Sequence, residues 1–568
     1  MRNLLRLLLC CALILVPFRA KSATTCSVLH HPASSEADKA LQAADYAKAA
    51  DLYRAGLAVH PGDVDLTAGL VRALLHQQKV QEASDTVAAA LTASPGTAAL
   101  ISLRGEVEYR SGKPWASAQS ASEASRLDLC NPRNHLLLAR LSRLNSLYAT
   151  ARHELETAHQ LDPDDAEIRI QWIHTLPLKQ AIAELDSYLS VPRGDDEEQV
   201  RQMKLALEHM RKLEDQPQKG CRLVSETQDA NIPFITLMRD PTHIRAFGLE
   251  VKFNDHAGRL EIDTGASGLL GSRSVAQHSG LKPFSESEFS GIGDQGPKGG
   301  YSAYADSIRI GGLEFHDCPV RVVDSRNVSG DVDGLIGMDV FSNFLVTLDF
   351  PMRKLLLGPL PKRPGDTAAP APALNTQESS SDNPGEAKDA SANAAKDTAG
   401  EKPPDDTAVA TPKPKPHGPY DRYVAPEMKD YTPVYRVGHQ LLLPASVNGG
   451  SPRLFILDTG AFTTIVSPQT AAEAGKLHSD DRMRVHGISG EVNKVYSVDN
   501  LTFSFAHFSQ KAREVTSFDT SHTSKNVGIE VSGFLGATTL DLMTMHIDYR
   551  DGLVKFEYDP NRGYRPGH

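Results

Sequence analysis

Leu260-Glu261-Ile262-Asp263-Thr264-Gly265-Ala266 returns 195 residues later as Phe455-Ile456-Leu457-Asp458-Thr459-Gly460-Ala461. Each stretch ends an apolar run on an aspartate and continues with Thr, Gly and Ala. The likeness extends outward. Gly291-Ile292-Gly293 lies 28 residues beyond Asp263, and Gly487-Ile488-Ser489-Gly490 begins 29 residues beyond Asp458. Gly334-Leu335-Ile336-Gly337 begins 71 residues beyond the first aspartate, and Gly533-Phe534-Leu535-Gly536 begins 75 beyond the second. Leu348-Asp349-Phe350 and Ile547-Asp548-Tyr549 close the two series. Four landmarks in one order and near-equal spacing mark a duplicated unit. Short strand-like runs between Gly, Asn, Asp and Pro surround them, which predicts two mainly-β lobes over residues 222–360 and 426–560.

The residue types point to acid–base chemistry. Two carboxylates brought face to face cannot both ionise cheaply, so they share a proton and one serves as base while the other serves as acid. The paired Asp-Thr-Gly-Ala loops, the glycine-rich segments and the apolar Gly-x-x-Gly strands together resemble the retropepsin-like branch of the pepsin-type aspartic proteases. The resemblance covers residues of about 230–360 and 430–558. It implies two acid-protease lobes meeting at a seam, with Asp263 and Asp458 as the catalytic dyad of an endopeptidase that activates water. Thr264 and Thr459 would cross the seam, and Gly265 and Gly460 would allow the tight turn. Gly291, Ile292 and Gly293, with Gly487, Ile488 and Gly490, would form flexible flaps over an extended peptide or protein substrate. No metal and no other cofactor is implied. The second loop departs from the pattern with Phe462 where the first has Ser267. Met338-Asp339 and Ala537-Thr538 follow the last glycines, where viral members carry a polar or basic residue. A rival reading keeps the same lobes as a catalytically inert peptide-binding scaffold. The residues also leave open whether the lobes pair within one chain or between two copies. A tether of about 60 residues spans roughly 40–45 Å as a flexible chain, which favours pairing within a monomer.

Residues 35–215 carry a different pattern, rich in alanine and leucine at helical spacing. Small residues recur every 34 positions at Ala49, Ala83, Ser117 and Ala151, and again at Gly56, Ala90, Ala124 and Ala158. Pro61, Pro95, Leu129 and Pro163 keep the same period. This resembles tetratricopeptide repeats, in which small residues let paired helices approach. It predicts an α-helical solenoid of four repeats with a degenerate fifth, and implies recruitment of a protein partner or substrate. The fold class expected is therefore multidomain, α then β.

The first 22 residues read as a signal peptide: Arg2 and Arg6 precede a short apolar stretch from Leu7 to Val16, and Ala20-Lys21-Ser22 supplies small residues. That stretch is too short for a stable membrane span, so an exported protein, periplasmic or secreted, is expected. Cys10 and Cys11 fall in this segment. Cys26, Cys130, Cys221 and Cys318 are scattered, so their pairing stays undecided. A net charge of −11 argues against nucleic acid as a partner. Residues 361–425 are dominated by Pro, Ala, Ser and charged side chains and read as a disordered linker. His153-Glu154 and His159 stand six apart on a helix, too far round to share a metal, and read as solvated surface.

Overall fold

The computed structural model describes residues 26–29, 35–191, 197–216, 221–226, 229–240, 243–325, 332–364, 366, 420–479 and 483–561. The segment read as a signal peptide and most of the low-complexity segment lie outside these residues.

Among the described residues, eleven helices run from Glu36 to Asp215. Ten of them form antiparallel pairs, from Glu36–Gln42 with Tyr46–Val59 to Ala166–Ile173 with Leu178–Ser190, and Glu197–Asp215 follows. The 34-residue period has a direct structural cause. Ala49, Ala83, Ser117 and Ala151 are buried where the two helices of a pair cross, and a larger side chain there would push them apart. Asp63, Asn131 and Asp165 cap helix N-termini by accepting backbone N–H bonds, which satisfies donors the helix leaves open. Successive repeats are also stapled by charge: Arg72 Nη2 reaches Glu106 at 3.0 Å and Arg133 Nη1 reaches Glu167 at 2.5 Å, each pair 34 residues apart. His159 stacks on Trp172 with ring centroids 3.8 Å apart, and Glu154 binds His135 Nδ1 at 2.6 Å. These two residues are thus packing and pairing partners rather than the bare solvated surface the spacing suggested.

The rest of the chain builds two lobes with the same wiring. In lobe 1 the strand His256–Asp263 runs parallel to Gly334–Gly337, which is antiparallel to Leu269–Ser272. In lobe 2 Arg453–Leu457 runs parallel to Gly533–Leu535, which is antiparallel to Ile465–Val466. A third, six-stranded sheet takes strands from both lobes in the order Thr432–Pro433, Leu553–Glu557, Thr544–Asp548, Phe344–Asp349, Lys354–Pro359, Ala230–Pro233. Its central pairing crosses the seam, with Val346 opposite Ile547 and Asp349 opposite Thr544. The two lobes therefore join within one chain. One apolar core runs through both, including Phe253, Phe315, Phe344, Phe455, Phe503 and Tyr549.

The helices are docked on the lobes. Tyr109, Leu137, Leu141 and Leu144 share an apolar cluster with Leu442, Leu454 and Ile456 of lobe 2. Arg110 Nη1 donates to Gly528 O, and Glu530 N donates to Arg110 O. Glu197–Asp215 touches lobe 1: Gln202 donates to Glu288 at 2.7 Å and His209 bonds Ser285 at 2.6 Å. Two disulfides, Cys26–Cys130 and Cys221–Cys318, close loops of 104 and 97 residues. The first ties the N-terminal segment to the repeats, and the second pins the start of lobe 1 to its own sheet.

Both margins of the segment read as a linker are packed, so its disordered reading does not hold for residues 361–364, 366 and 420–425. Their anchor is Asp551, fully buried. It binds the Arg363 guanidinium, accepts from Tyr423 N at 2.9 Å and from Arg550 Nε at 2.8 Å. Thr150 of the repeats holds Asp421 through its N–H and hydroxyl. Composition gave no sign of this, because the contacts depend on a charge over 100 residues away. Asp551→Ala would strand the buried Arg363 guanidinium, so it is expected to lower unfolding free energy by about 3–5 kcal/mol, whereas Asp551→Asn loses less. Urea denaturation of both variants measures the difference.

Candidate active site

Asp263 is the last residue of its strand, and Asp458 directly follows the corresponding strand of lobe 2. Each carboxylate is held by its own turn. Asp263 Oδ1 accepts from Gly265 N at 2.8 Å and Ala266 N at 3.0 Å; Asp458 Oδ1 accepts from Gly460 N and Ala461 N, both at 3.0 Å. The turns interlock across the seam. Thr264 Oγ1 donates to Leu457 O at 2.7 Å and accepts from Thr459 N at 3.0 Å. Thr459 Oγ1 donates to Ile262 O at 3.0 Å and accepts from Thr264 N at 3.1 Å. Both glycines face the opposite carboxylate. A Cβ on Gly265 would stand 2.8 Å from Asp458 Cγ, and one on Gly460 only 2.5 Å from Asp263 Cγ. Absence of a side chain is what lets the two acids meet.

The two acids interact directly across the seam. Burial, then the charge of Asp458, holds the Asp263 carboxyl well above the ordinary carboxylate range, against the pull of its backbone donors. Burial likewise raises Asp458, with its backbone N–H bonds opposing. One proton on the pair removes the repulsion, and the pair titrates as a unit. Such a dyad can take a proton from a water and give one to a carbonyl oxygen in the same step.

The glycine-rich segments form two loops that meet each other. Gly291–Gly293 follow the strand Lys282–Phe289, and Gly487 and Gly490 sit in the short hairpin of His486–Gly487 and Gly490–Glu491. Gly291 N donates to Ser489 Oγ at 3.1 Å, Ser489 N to Ile292 O at 3.1 Å, and Gln295 N to Ser489 O at 2.8 Å. Gly293 has φ +127°, and a Cβ there would strike the Ser489 backbone at 2.4 Å. Each tip reaches the other lobe. Ile488 packs with Leu270, Phe289 and Leu335 of lobe 1, and Ile292 packs with the cluster containing Ile456 and Phe534 of lobe 2.

Sequence reasoning assigned no role to six residues at this site. Asp339 is buried and anchors the loop after Asp263, accepting from Ser267 Oγ at 3.0 Å and Gly268 N at 2.9 Å. Lobe 2 does the same task with hydroxyls: Thr464 pairs with Thr539 at 2.6 Å and accepts from Gly536 N. His439 Nε2 donates to Gly265 O at 2.9 Å across the seam, and burial pushes its pKa down. Glu261 and Arg245 pair at 3.1 Å beside the dyad. A polar Glu261 inside an otherwise apolar run, and Asp339 after the supporting glycine, were the available signals. Nothing local marks His439 or Arg245. Among the described residues no three His, Cys, Asp or Glu side chains converge to hold a metal, and no helix is long and apolar enough to cross a membrane.

Comparison with known families fits this geometry. Residues 249–340 and 443–538 each match the aspartyl protease family model, and residues 40–107 match the tetratricopeptide repeat model. The chain thus carries two tandem aspartyl-protease-like domains preceded by a repeat region. A search of curated proteins finds no match.

Thr264→Val would leave the Leu457 carbonyl and the Thr459 N–H buried without partners, so unfolding free energy should fall by about 1–3 kcal/mol for each group. Thr264→Ser keeps the hydroxyl and should retain most of the stability. Equal urea midpoints for the Val variant and the wild type would show that the seam does not depend on these bonds.

Proposed function

We propose that this chain is an exported aspartic endopeptidase, in which Asp263 and Asp458 activate water against a peptide bond and the helical repeats recruit a protein substrate or partner. The observation that carries the reading is the pair of aspartates facing each other across a seam locked by reciprocal threonine bonds between two like lobes. An extended peptide would lie between the dyad and the latched loops, bonding through its main chain as an added strand. The ionised member of the pair draws a proton from water as the oxygen attacks the scissile carbonyl. The protonated member donates to the developing oxyanion, and collapse of the tetrahedral intermediate returns a proton to the leaving amine. Both acids come from one chain, so a monomer suffices for one site. Export is supported by the N-terminal signal-like segment and by two disulfides, which persist in oxidising compartments. Recruitment by the repeats is supported by their docking on both lobes, which would hold a captured chain near the dyad.

Cleavage of an unfolded protein substrate between pH 3 and 8 tests the reading. Asp263→Asn and Asp458→Asn should each lose at least about a thousandfold in kcat/KM. Wild type and variants that are equally silent at every pH would leave an inert scaffold as the better account. Retention of about half the activity by each variant would instead indicate separate sites formed between two copies.

Stability carries a second signature of the same pair. The folded state holds the Asp263 proton well above the ordinary carboxylate range, while the unfolded chain releases it near pH 3.9. Below that pH both states are protonated and no penalty exists. As pH rises through it the unfolded chain ionises first, so the native state loses stability until the dyad also ionises. Asp263→Asn cannot ionise. It should therefore match the wild type in acid and exceed it in thermal midpoint at neutral pH. A constant difference between the two from pH 3 to 7 would refute proton sharing.

A further inference from the structure

The two walls beside the dyad are built from equivalent positions and differ in chemistry. Side chains alternate along a strand, so Glu261 shares a face with Asp263, and Ile456 shares a face with Asp458. Strand register carries each face sideways. Glu261 stands opposite Leu335, and Leu335 opposite Leu270; Ile456 stands opposite Phe534, and Phe534 opposite Ile465. These are the faces on which the loop tips rest, since Ile488 packs with Leu270 and Leu335 while Ile292 joins the cluster of Ile456, Ile465 and Phe534. Leucine answers phenylalanine and leucine answers isoleucine. Only at the position nearest the acids does lobe 1 place a carboxylate where lobe 2 has a hydrocarbon.

Glu261 is 4% exposed, an uncommon position for a glutamate in a wall that is otherwise apolar. Its ion-pair partner Arg245 comes from the neighbouring strand His243–Phe253 and keeps 27% of its side chain exposed. The charged groups facing Glu261 are Arg245 on that strand, Asp263 on its own strand and Asp458 across the seam. Burial pushes the Glu261 carboxyl up to about 7, with Asp263 adding to the rise and Arg245 opposing it. One partly solvated guanidinium thus does not offset the burial of this acid and the charge of the dyad. A carboxylate can accept from more than one donor, and a second cation would complete its neutralisation.

We propose that Glu261 makes the lobe 1 subsite beside the scissile bond selective for a basic side chain, lysine or arginine, whereas the matching lobe 2 wall offers only apolar groups. This deepens the protease reading above and rests on it. The preferred substrate is then a peptide with a cation on one side of the cleaved bond and an apolar residue on the other. Arg245, already paired with Glu261, competes with the incoming cation for it, so its removal strengthens the preference.

Cleavage-site profiling with the full-length mature protein on a denatured protein mixture tests the proposal, followed by kinetics on paired peptides that differ only as Lys against Leu. At pH 7 the wild type should favour Lys or Arg flanking the cut. Glu261→Ile and Glu261→Gln should lower the Lys-to-Leu ratio of kcat/KM by about 10- to 100-fold, the range expected for loss of a charge-assisted bond. Arg245→Ala should raise that ratio. At pH 5, where the carboxyl is protonated, the wild-type ratio should fall toward that of Glu261→Gln. Should the Ile variant fail to fold, the near-isosteric Gln variant carries the test. Variants that lose stability or overall rate while the ratio stays fixed would overturn the proposal and leave the protease reading standing. A wild type that cuts nothing would overturn both.

Discussion

Thr264 and Thr459 make four hydrogen bonds across a gap that admits no side chain at Gly265 or Gly460, two with each other and one each to Leu457 O and Ile262 O. Everything else at the site depends on that contact. It brings the ends of two strands, one from each lobe, so close that burial and the neighbouring acid hold the Asp263 carboxyl above its ordinary range. Either turn alone would hold an ordinary, solvated aspartate. The six-stranded sheet supports the contact, because its central ladder also joins one lobe to the other. Threonine bonds and ladder together fix the separation of the acids more firmly than either could, and fixed separation is what sets their joint proton affinity.

The pseudo-symmetry of that frame makes its departures legible. Loop anchoring uses the Asp339 carboxylate in lobe 1 and the Thr464–Thr539 hydroxyl pair in lobe 2. One acid-bearing wall includes Glu261, and the other Ile456. The helical repeats press Tyr109 and Leu137 toward the lobe 2 wall, while their last helix touches the strand leading to the lobe 1 loop. A homodimer of single lobes would have to present the same chemistry on both sides. Duplication within one chain removes that constraint, so the two sides can differ in chemistry.

Much of this was readable in the sequence because the signals are local and periodic. The 34-residue spacing of small residues located the helix pairs, since close approach demands a small side chain wherever two helices cross. The repeated order of Asp-Thr-Gly-Ala, glycine-rich segment and Gly-x-x-Gly strand announced two like lobes. Reading was poorer where a contact joins distant residues. Arg363 and Tyr423 looked like linker because their partner Asp551 lies far along the chain. His159 looked like bare surface because Trp172 belongs to the next repeat.

The chain by itself therefore determined its architecture and the identity of the paired acids, through hydrophobic period, turn chemistry and duplication, all of which act over short stretches. Tertiary structure alone decided which cysteines pair, how the two loop tips latch to each other, that His439 reaches Gly265, and that Glu261 sits beside Asp263 with Arg245 as its partner. Those contacts join residues that no local rule relates. Their distances are set by how sheets twist and pack, so only the folded chain brings them within bonding reach.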